Sequence, residues 1–430
     1  MSADRYSPTR VQGAYSAPTI DEPLHAELTI PGSKSLTNRE LIIAAIADGP
    51  GRLIAPLHSD DSARMVDALR ALGVGIQEVD AGNEFGPDLV ITPAKLHGGT
   101  TVDCGQAGTV MRFIAPLAGL AEHDVHLTAH ETALHRPMGG LISALRDLGV
   151  DIDDEGTWAL PFTIRGHGRI RGGRVEIDAS ASSQFVSGLL LAAPRFDVGL
   201  HLVHTGEHLP SLPHIDMTIE ALSRRGIRIE RPAVGEWLVE AGVPRAKEIA
   251  IEPDLSNAAP FLAAALVTGG SVSITGWPAH STQPGALATP NAMRPIRITV
   301  RAGSAIRGLD LDLSAASELT PTLVGLAAFA ESPTTFRGIG HIRLHETDRI
   351  AALIRNIRAL GGEAEELPDG LRVIPRPLRG GTWAAHHDHR MATTGALIGL
   401  RVPGVEIDDI GTTAKTLPEF TMLWERMLRG

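Results

Sequence analysis

MVDALRALG at residues 65–73, LISALRDLG at 141–149 and LIRNIRALG at 353–361 carry one pattern. Each sets apolar residues at helical spacing and ends on glycine, at Gly73, Gly149 and Gly361. That spacing predicts an amphipathic helix, and the glycine just past it predicts a left-handed cap. A fourth copy is weaker: Ile219 and Leu222 precede Gly226, and Arg225 stands in the last apolar slot. Short alternating runs follow, Trp158 to Arg165 and Trp237 to Ala241 among them, and these predict hairpin strands.

A second type of helix alternates with the first. It opens on small polar residues and continues as small apolar ones. The openings are Ser35, Thr109, Ser183 and Asn257, each 74 residues from the last, then Thr320 and Met391 after steps of 63 and 71. Extended segments follow at His126 to Ala129, Gly199 to His204 and Ser271 to Thr275. The chain therefore reads as an α/β protein of six strand–helix–strand–helix–strand–strand units of about 70 residues. The unit near 290–310 lacks its glycine-capped helix.

At 430 residues and 45.5 kDa the chain is too long for one ordinary core. Its 43% hydrophobic and 21% charged residues are a globular composition. No apolar run approaches the ~18 residues of a membrane span, so no membrane partner is expected. Residues 1–20 carry Asp4, Arg5, Arg10, Pro8 and Pro18 without an apolar stretch and read as a loose leader. The single cysteine, Cys104, excludes an internal disulfide framework and reads as a small buried residue. A net charge of −11 and 4% aromatics exclude a nucleic-acid surface. A cytoplasmic enzyme acting as a monomer is the expected class.

Unusual polar residues gather at the helix openings: Gly32-Ser33-Lys34-Ser35, Gln106-Ala107-Gly108-Thr109, Ser180 to Gln184, Asp254 to Asn257, Glu318-Leu319-Thr320 and Asp388-His389-Arg390. Helix N-termini offer unsatisfied N–H groups and partial positive charge, so several of them turned to one place trap anions. Capping accounts for the hydroxyls. It does not account for the adjoining Lys34, Arg39, Arg112 and Arg390, nor for Arg136, Arg349 and Lys415 beside other turns. Focused cations in an acidic protein suit small phosphorylated carboxylates, which arginine forks grip bidentately. Gly32-Ser33-Lys34-Ser35 lacks the Walker spacing. His345-Glu346-Thr347-Asp348-Arg349 ends on arginine where a zinc motif needs histidine, and the run His386, His387, His389 has no convincing partner ligand. No metal site is expected.

Pro31 to Ser35, Ala107-Gly108-Thr109-Val110-Met111-Arg112, Ser182-Ser183-Gln184, Glu346 to Arg349, Asp388-His389-Arg390 and Ala414-Lys415-Thr416 stand in the order seen in one family. From about Leu28 to Leu423 the sequence resembles the EPSP synthase (3-phosphoshikimate 1-carboxyvinyltransferase) family. The resemblance implies the inside-out enolpyruvyl transferase fold: two similar domains, each of three βαβαββ repeats, facing one another across a cleft that holds the active site. Residues 34–251 are expected to form the first lobe, and 21–33 with 252–430 the second. The implied reaction transfers the enolpyruvyl group of phosphoenolpyruvate to the 5-hydroxyl of shikimate 3-phosphate by addition and elimination, releasing phosphate, in the shikimate pathway to chorismate and the aromatic amino acids. No cofactor is implied.

Carried over motif by motif, Lys34, Ser35, Arg39, Ser182, Ser183, Gln184 and Ser211 are expected to hold shikimate 3-phosphate, with Glu318, His341 and His345. Lys34, Gly108, Arg136, Gln184, Arg349, Arg390 and Lys415 are expected around phosphoenolpyruvate, with Arg112 supporting its loop. Glu318 and Glu346 are the expected acid–base pair, assisted by Lys34. Several positions depart from the family pattern. Glu318 stands where many members have Asp, His341 and His345 where Asn and Lys are better known, His214 where some have Tyr, and Phe113 where many have Pro. Gly108 is retained, so glyphosate is expected to inhibit. A sister transferase acting on UDP-N-acetylglucosamine usually needs a cysteine loop near the second-unit arginine, and no cysteine lies near Arg136. A non-catalytic paralogue is disfavoured because both glutamates are present.

Overall fold

The computed structural model describes residues 11, 13–284, 296–303 and 305–430. They divide into two compact units. One spans Gly32–Ile251; the other joins the described part of Ser7–Pro31 to Glu252–Gly430.

Six helices build the first unit: α1 (Lys34–Ala45), α2 (Asp60–Ala71), α3 (Gly108–Ala118), α4 (Gly139–Asp147), α5 (Gln184–Ala192) and α6 (Leu212–Arg224). Nearly every residue of α1, α3 and α5 is buried; α3 and α5 are largely apolar all round, whereas α1 buries Thr37, Asn38, Arg39 and Glu40 as well. These three pack on one another at the centre of the unit. Asn38 Nδ2 donates to Thr109 Oγ1 at 2.7 Å and ties α1 to α3. Gly188 lets α5 cross α3, since a Cβ there would lie 2.3 Å from the Arg112 carbonyl oxygen.

Three four-stranded sheets complete this unit. In each, a parallel pair is followed by two antiparallel strands. The orders are Glu248–Ala250, Gly51–Ile54, Asp88–Thr92, Gly75–Val79; then Thr100–Asp103, Val125–Thr128, Phe162–Arg165, Asp151–Asp153; then Gly173–Ile177, Leu200–His204, Glu236–Val239, Ile229–Glu230. The first sheet takes its parallel strand, Glu248–Ala250, from the far end of the unit. The hairpin expected from Trp158 begins only at Phe162. Asp154 accepts from the N–H groups of Gly156 and Trp158, which makes the intervening residues a turn.

The second unit holds α7 (Leu255–Thr268), α8 (Thr320–Ala327), α9 (Arg349–Ala359), α10 (His389–Gly399) and α11 (Phe420–Arg429). Here α7, α8 and α10 pack together. The sheet Asp310–Asp312, Thr334–Arg337, Gly370–Ile374, Glu363–Leu367 repeats the pattern of the first unit. His25–Leu28 runs parallel to Ser271–Trp277, and Gly381–Trp383 parallel to Val405–Ile407. The predicted absence of a capped helix near 290–310 falls partly on 285–295 and 304, outside the described residues.

The leader expected at 1–20 is not loose where it is described from Gly13 on. Tyr15–Ser16 pairs antiparallel with Glu406 and Ile407, and the Ala17 N–H donates to the Val405 carbonyl. Ala17 is buried against Gly399, where a Cβ would come within 2.2 Å. Alternation too short to register, a single pair, hides this strand in the sequence.

All four glycine caps form as the pattern predicts. Gly73, Gly149, Gly226 and Gly361 have φ of +102°, +88°, +86° and +84°. Each closes its helix with the same two bonds, from the glycine and the residue after it: Gly73 to Arg70 and Val74 to Leu69, Gly149 to Arg146 and Val150 to Leu145, Gly226 to Ser223 and Ile227 to Leu222, Gly361 to Arg358 and Gly362 to Ile357. No helix among the described residues is long and apolar enough to cross a membrane.

Candidate active site

The small-residue helices bring the polar openings together within each unit. In the first, Ser33 caps α1 by accepting from Leu36 N–H at 3.5 Å. Lys34 and Ser35 therefore occupy the first turn. Lys34 Nζ donates to Asp61 Oδ2 at 3.1 Å. Asp61 lies in the acidic first turn of α2, which reads in sequence as an ordinary helix start, so nothing there marked it as the lysine's partner.

Gly108, Arg112, Arg136 and Gln184 converge. A Cβ on Gly108 would stand 2.8 Å from Arg112 Nη1, 3.3 Å from Gln184 Oε1 and 3.8 Å from Arg136 Nη1. Arg112 is held by the carbonyls of Gly108 and Pro137, and Arg136 by that of Gln106 at 2.7 Å. Gln184 Oε1 and Arg136 Nε are buried, and neither finds a hydrogen-bond partner among the described residues. Buried polar atoms in that state call for a ligand or water. Ser182 Oγ accepts from the Gln184 N–H at 3.2 Å. Ala107, which precedes α3, makes no side-chain cap, so the first-turn N–H groups of α3 remain available to an anion. Ser211, at the start of α6, holds a left-handed φ of +53°, a strained setting for a residue with a Cβ.

Arg39 spends its guanidinium on bonds within the first unit. It is buried, with Nε to Thr218 Oγ1 at 2.8 Å, Nη1 to the Ser35 carbonyl at 2.9 Å, and Nη2 to Ser187 Oγ and the His214 carbonyl at 3.3 and 2.9 Å. Burial pulls its guanidinium down to about 9. These bonds knit the first turn of α1 to α5 and α6.

The second unit gathers its own cluster. Arg349, 2% exposed, forks onto fully buried Asp388 through Nε at 2.7 Å and Nη2 at 3.2 Å. Its Nη2 also donates to Glu346 Oε2 at 2.8 Å, and its Nη1 to His345 Nδ1 at 3.1 Å. Glu346 Oε1 pairs in turn with Lys415. Asp388 caps α10 by accepting from the Arg390 N–H at 2.8 Å, and Arg390 Nη2 donates to Ser256 Oγ at 3.1 Å. Asp388 was visible in sequence only as part of its motif; its fork on Arg349 needs the fold.

Burial pushes the Glu318 carboxyl above the usual glutamate range and Asp254 adds to that, with Arg390, its own N–H and Arg349 opposing. Burial lowers Arg390, as does Arg349 beside it, against Glu318, Asp254 and Asp388. His341 Nε2 lies 2.8 Å from Ser317 Oγ, its ring 5.9 Å from that of His345. Burial pulls His341 down from the usual histidine value, partly offset by Asp369 and assisted by Arg349. Cys104 is buried and pushed up to about 12, chiefly by desolvation, which leaves it a poor nucleophile. No group of three His, Cys, Asp or Glu side chains suited to a metal ion occurs among the described residues.

Comparison of the backbone with solved structures defines the class. An EPSP synthase from Acinetobacter baumannii superposes with a TM-score of 0.79 at 24% identity, over 97% of this chain and 98% of that one. The enolpyruvyl transferase NikO from Streptomyces tendae gives 0.73 at 18% identity, over 98% of each. This is the enolpyruvyl transferase fold. Sequence narrows the class further. A 3-phosphoshikimate 1-carboxyvinyltransferase from Kocuria rhizophila is 48% identical over 419 residues, 94% of each chain. The family model for EPSP synthase (3-phosphoshikimate 1-carboxyvinyltransferase) matches residues 18–424, and the chain belongs to that family.

Proposed function

We propose that the two polar clusters are the two parts of one catalytic machinery, which moves the enolpyruvyl group of phosphoenolpyruvate to the 5-hydroxyl of shikimate 3-phosphate. The overall reaction is that of the family: a carboxyvinyl transfer with release of phosphate, in the shikimate pathway to the aromatic amino acids. The residue roles are our assignment. The observation that carries them is the convergence of Gln184 Oε1 and Arg136 on Gly108, with buried polar atoms left unpartnered.

Lys34, Ser35, Ser182, Ser183, Gln184 and Ser211 bind shikimate 3-phosphate, whose dianion suits a lysine set among hydroxyl and amide donors. Arg39 acts mainly by holding Ser35 in place. His341 and His345 are assigned to the same substrate. Gly108, Arg136, Gln184, Arg349, Arg390, Lys415 and Lys34 surround phosphoenolpyruvate. The substrates bring phosphates and carboxylates that repel, and the cations offset that repulsion and orient the reacting atoms. Glu346, held between Arg349 and Lys415, and Glu318, raised by burial, serve as the acid–base pair at the 5-hydroxyl and the methylene carbon. We place the enzyme in the cytoplasm, as a monomer with no cofactor.

The test is release of phosphate from phosphoenolpyruvate in the presence of chelator. Release that depends on shikimate 3-phosphate is the expected outcome. Release independent of it, or dependent on UDP-N-acetylglucosamine instead, overturns the assignment.

A further inference from the structure

Within the first unit, one buried ion pair has no place in the chemistry above. Arg225 sends Nε and Nη2 to Glu40 Oε2 at 2.9 and 2.6 Å, and Nη1 to the Arg245 carbonyl at 3.2 Å. The two side chains are 0% and 2% exposed. Both positions are apolar or small elsewhere in the repeat. Arg225 fills the slot before the cap glycine that Leu72, Leu148 and Leu360 fill in the other copies. At the 74-residue spacing, Glu40 corresponds to Ile114 and Gly188. Two departures from one internal pattern thus meet each other.

The pair is a poor stabiliser. Burial pushes the Glu40 carboxyl up, and the nearby guanidinium of Arg225, with Arg224 and Lys247, only offsets it. A buried pair of this kind is commonly matched in stability by well-packed apolar residues. Its position offers a different use. Glu40 lies on α1, one residue beyond Arg39, and Arg225 ends α6. Arg39 ties α1 to α6 as well, through Thr218 and the His214 carbonyl. Two arginine links therefore fix the same pair of helices, whose starts carry Ser35 and Ser211.

We propose that Glu40 and Arg225 are positioning residues for shikimate 3-phosphate, locking α1 to α6 so that Ser35 and Ser211 present their hydroxyls at a fixed separation. The proposal rests on the assignment of Ser35 and Ser211 to that substrate. A directional fork resists sliding and rotation of one helix on the other, which apolar contact between the same helices permits.

The decisive variant replaces the pair by the residues of the other repeats, Glu40→Ile with Arg225→Leu. We expect it to keep or exceed the wild-type Tm, to bind shikimate 3-phosphate about tenfold more weakly by calorimetry, with KM for that substrate rising to match. KM for phosphoenolpyruvate should stay within about twofold. Arg225→Lys keeps the charge without the fork and should weaken shikimate 3-phosphate binding in the same sense at near wild-type Tm. A folded double variant with unchanged affinity overturns the proposal. Should the double variant not fold, unchanged affinity in Arg225→Lys overturns it instead. Ser35→Ala and Ser211→Ala are measured alongside. If neither weakens shikimate 3-phosphate binding, the substrate assignment itself fails and the pair has nothing to position; if they do and the pair variants do not, only the role of the pair fails.

Discussion

Glu318 and Gly108 show how a single atom's surroundings set what this enzyme does. Glu318 is raised by burial, so the folded state holds its proton more tightly than the unfolded chain, whose glutamate titrates near ~4.3. Stability is then lost as pH climbs from that value through the higher folded one. Glu318→Gln removes this penalty. It should raise Tm at pH 7, leave it unchanged below about pH 4, and cut kcat by about 10²- to 10⁴-fold. The pH profile of kcat/KM should also lose a limb whose pKa lies above the ordinary glutamate range. A Gln variant with full activity removes Glu318 from the acid–base pair. Gly108→Ala pushes a methyl to 2.8 Å from Arg112 Nη1 and 3.3 Å from Gln184 Oε1. Those flexible ends must retreat from where phosphoenolpyruvate is assigned. KM for phosphoenolpyruvate should rise about tenfold with that for shikimate 3-phosphate little changed. Glyphosate should inhibit the wild type and inhibit this variant less. Equal inhibition of the two would separate Gly108 from that site.

The helices differ in what their glycines do. Gly188 sits where α5 crosses α3, its added Cβ 2.3 Å from a backbone oxygen that cannot swing away. Gly188→Ala should cost about 1–3 kcal/mol or more by overpacking and lower activity too, because α3 and α5 begin at Gly108 and Gln184. Gly149 ends α4 at φ +88° with nothing within 4 Å of its added Cβ. Gly149→Ala meets only left-handed strain and should cost about 1–2 kcal/mol, with kinetics unchanged. Urea unfolding of the two variants separates them, and equal losses with equal activity would show that the crossing is looser than its geometry. Periodicity made these helices readable in advance, since one apolar face and a terminal glycine leave a local trace. Arg225, in the slot of Leu72, was the one misfit in that pattern, and its reason, Glu40, lies 185 residues away.

For the chain as a whole, the segment from Gly13 to Ala17 is part of the fold. Removing residues 2–20 deletes the pairing of Tyr15–Ser16 with Val405–Ile407 and the packing of Ala17 on Gly399. Tm should fall, with the loss seen first as faster hydrogen exchange in Val405–Ile407. An unchanged Tm and exchange pattern would restore the reading of this segment as a loose leader. Similarly, His25–Leu28 and Glu248–Ala250 each complete a sheet begun far away in sequence, and the second unit joins two separate stretches of chain.

The sequence by itself determined the repeating units, the helix ends and the clustering of polar residues at helix openings, because each is written in residues within a turn or two of one another. Family motifs added the reaction. Only the tertiary structure decided which charges meet: Lys34 with Asp61, Arg349 with Asp388 and Glu346, Arg39 turned inward, Arg225 onto Glu40. Ion pairing depends on a few ångströms between residues that the chain brings together from afar, and local propensity carries no record of that distance.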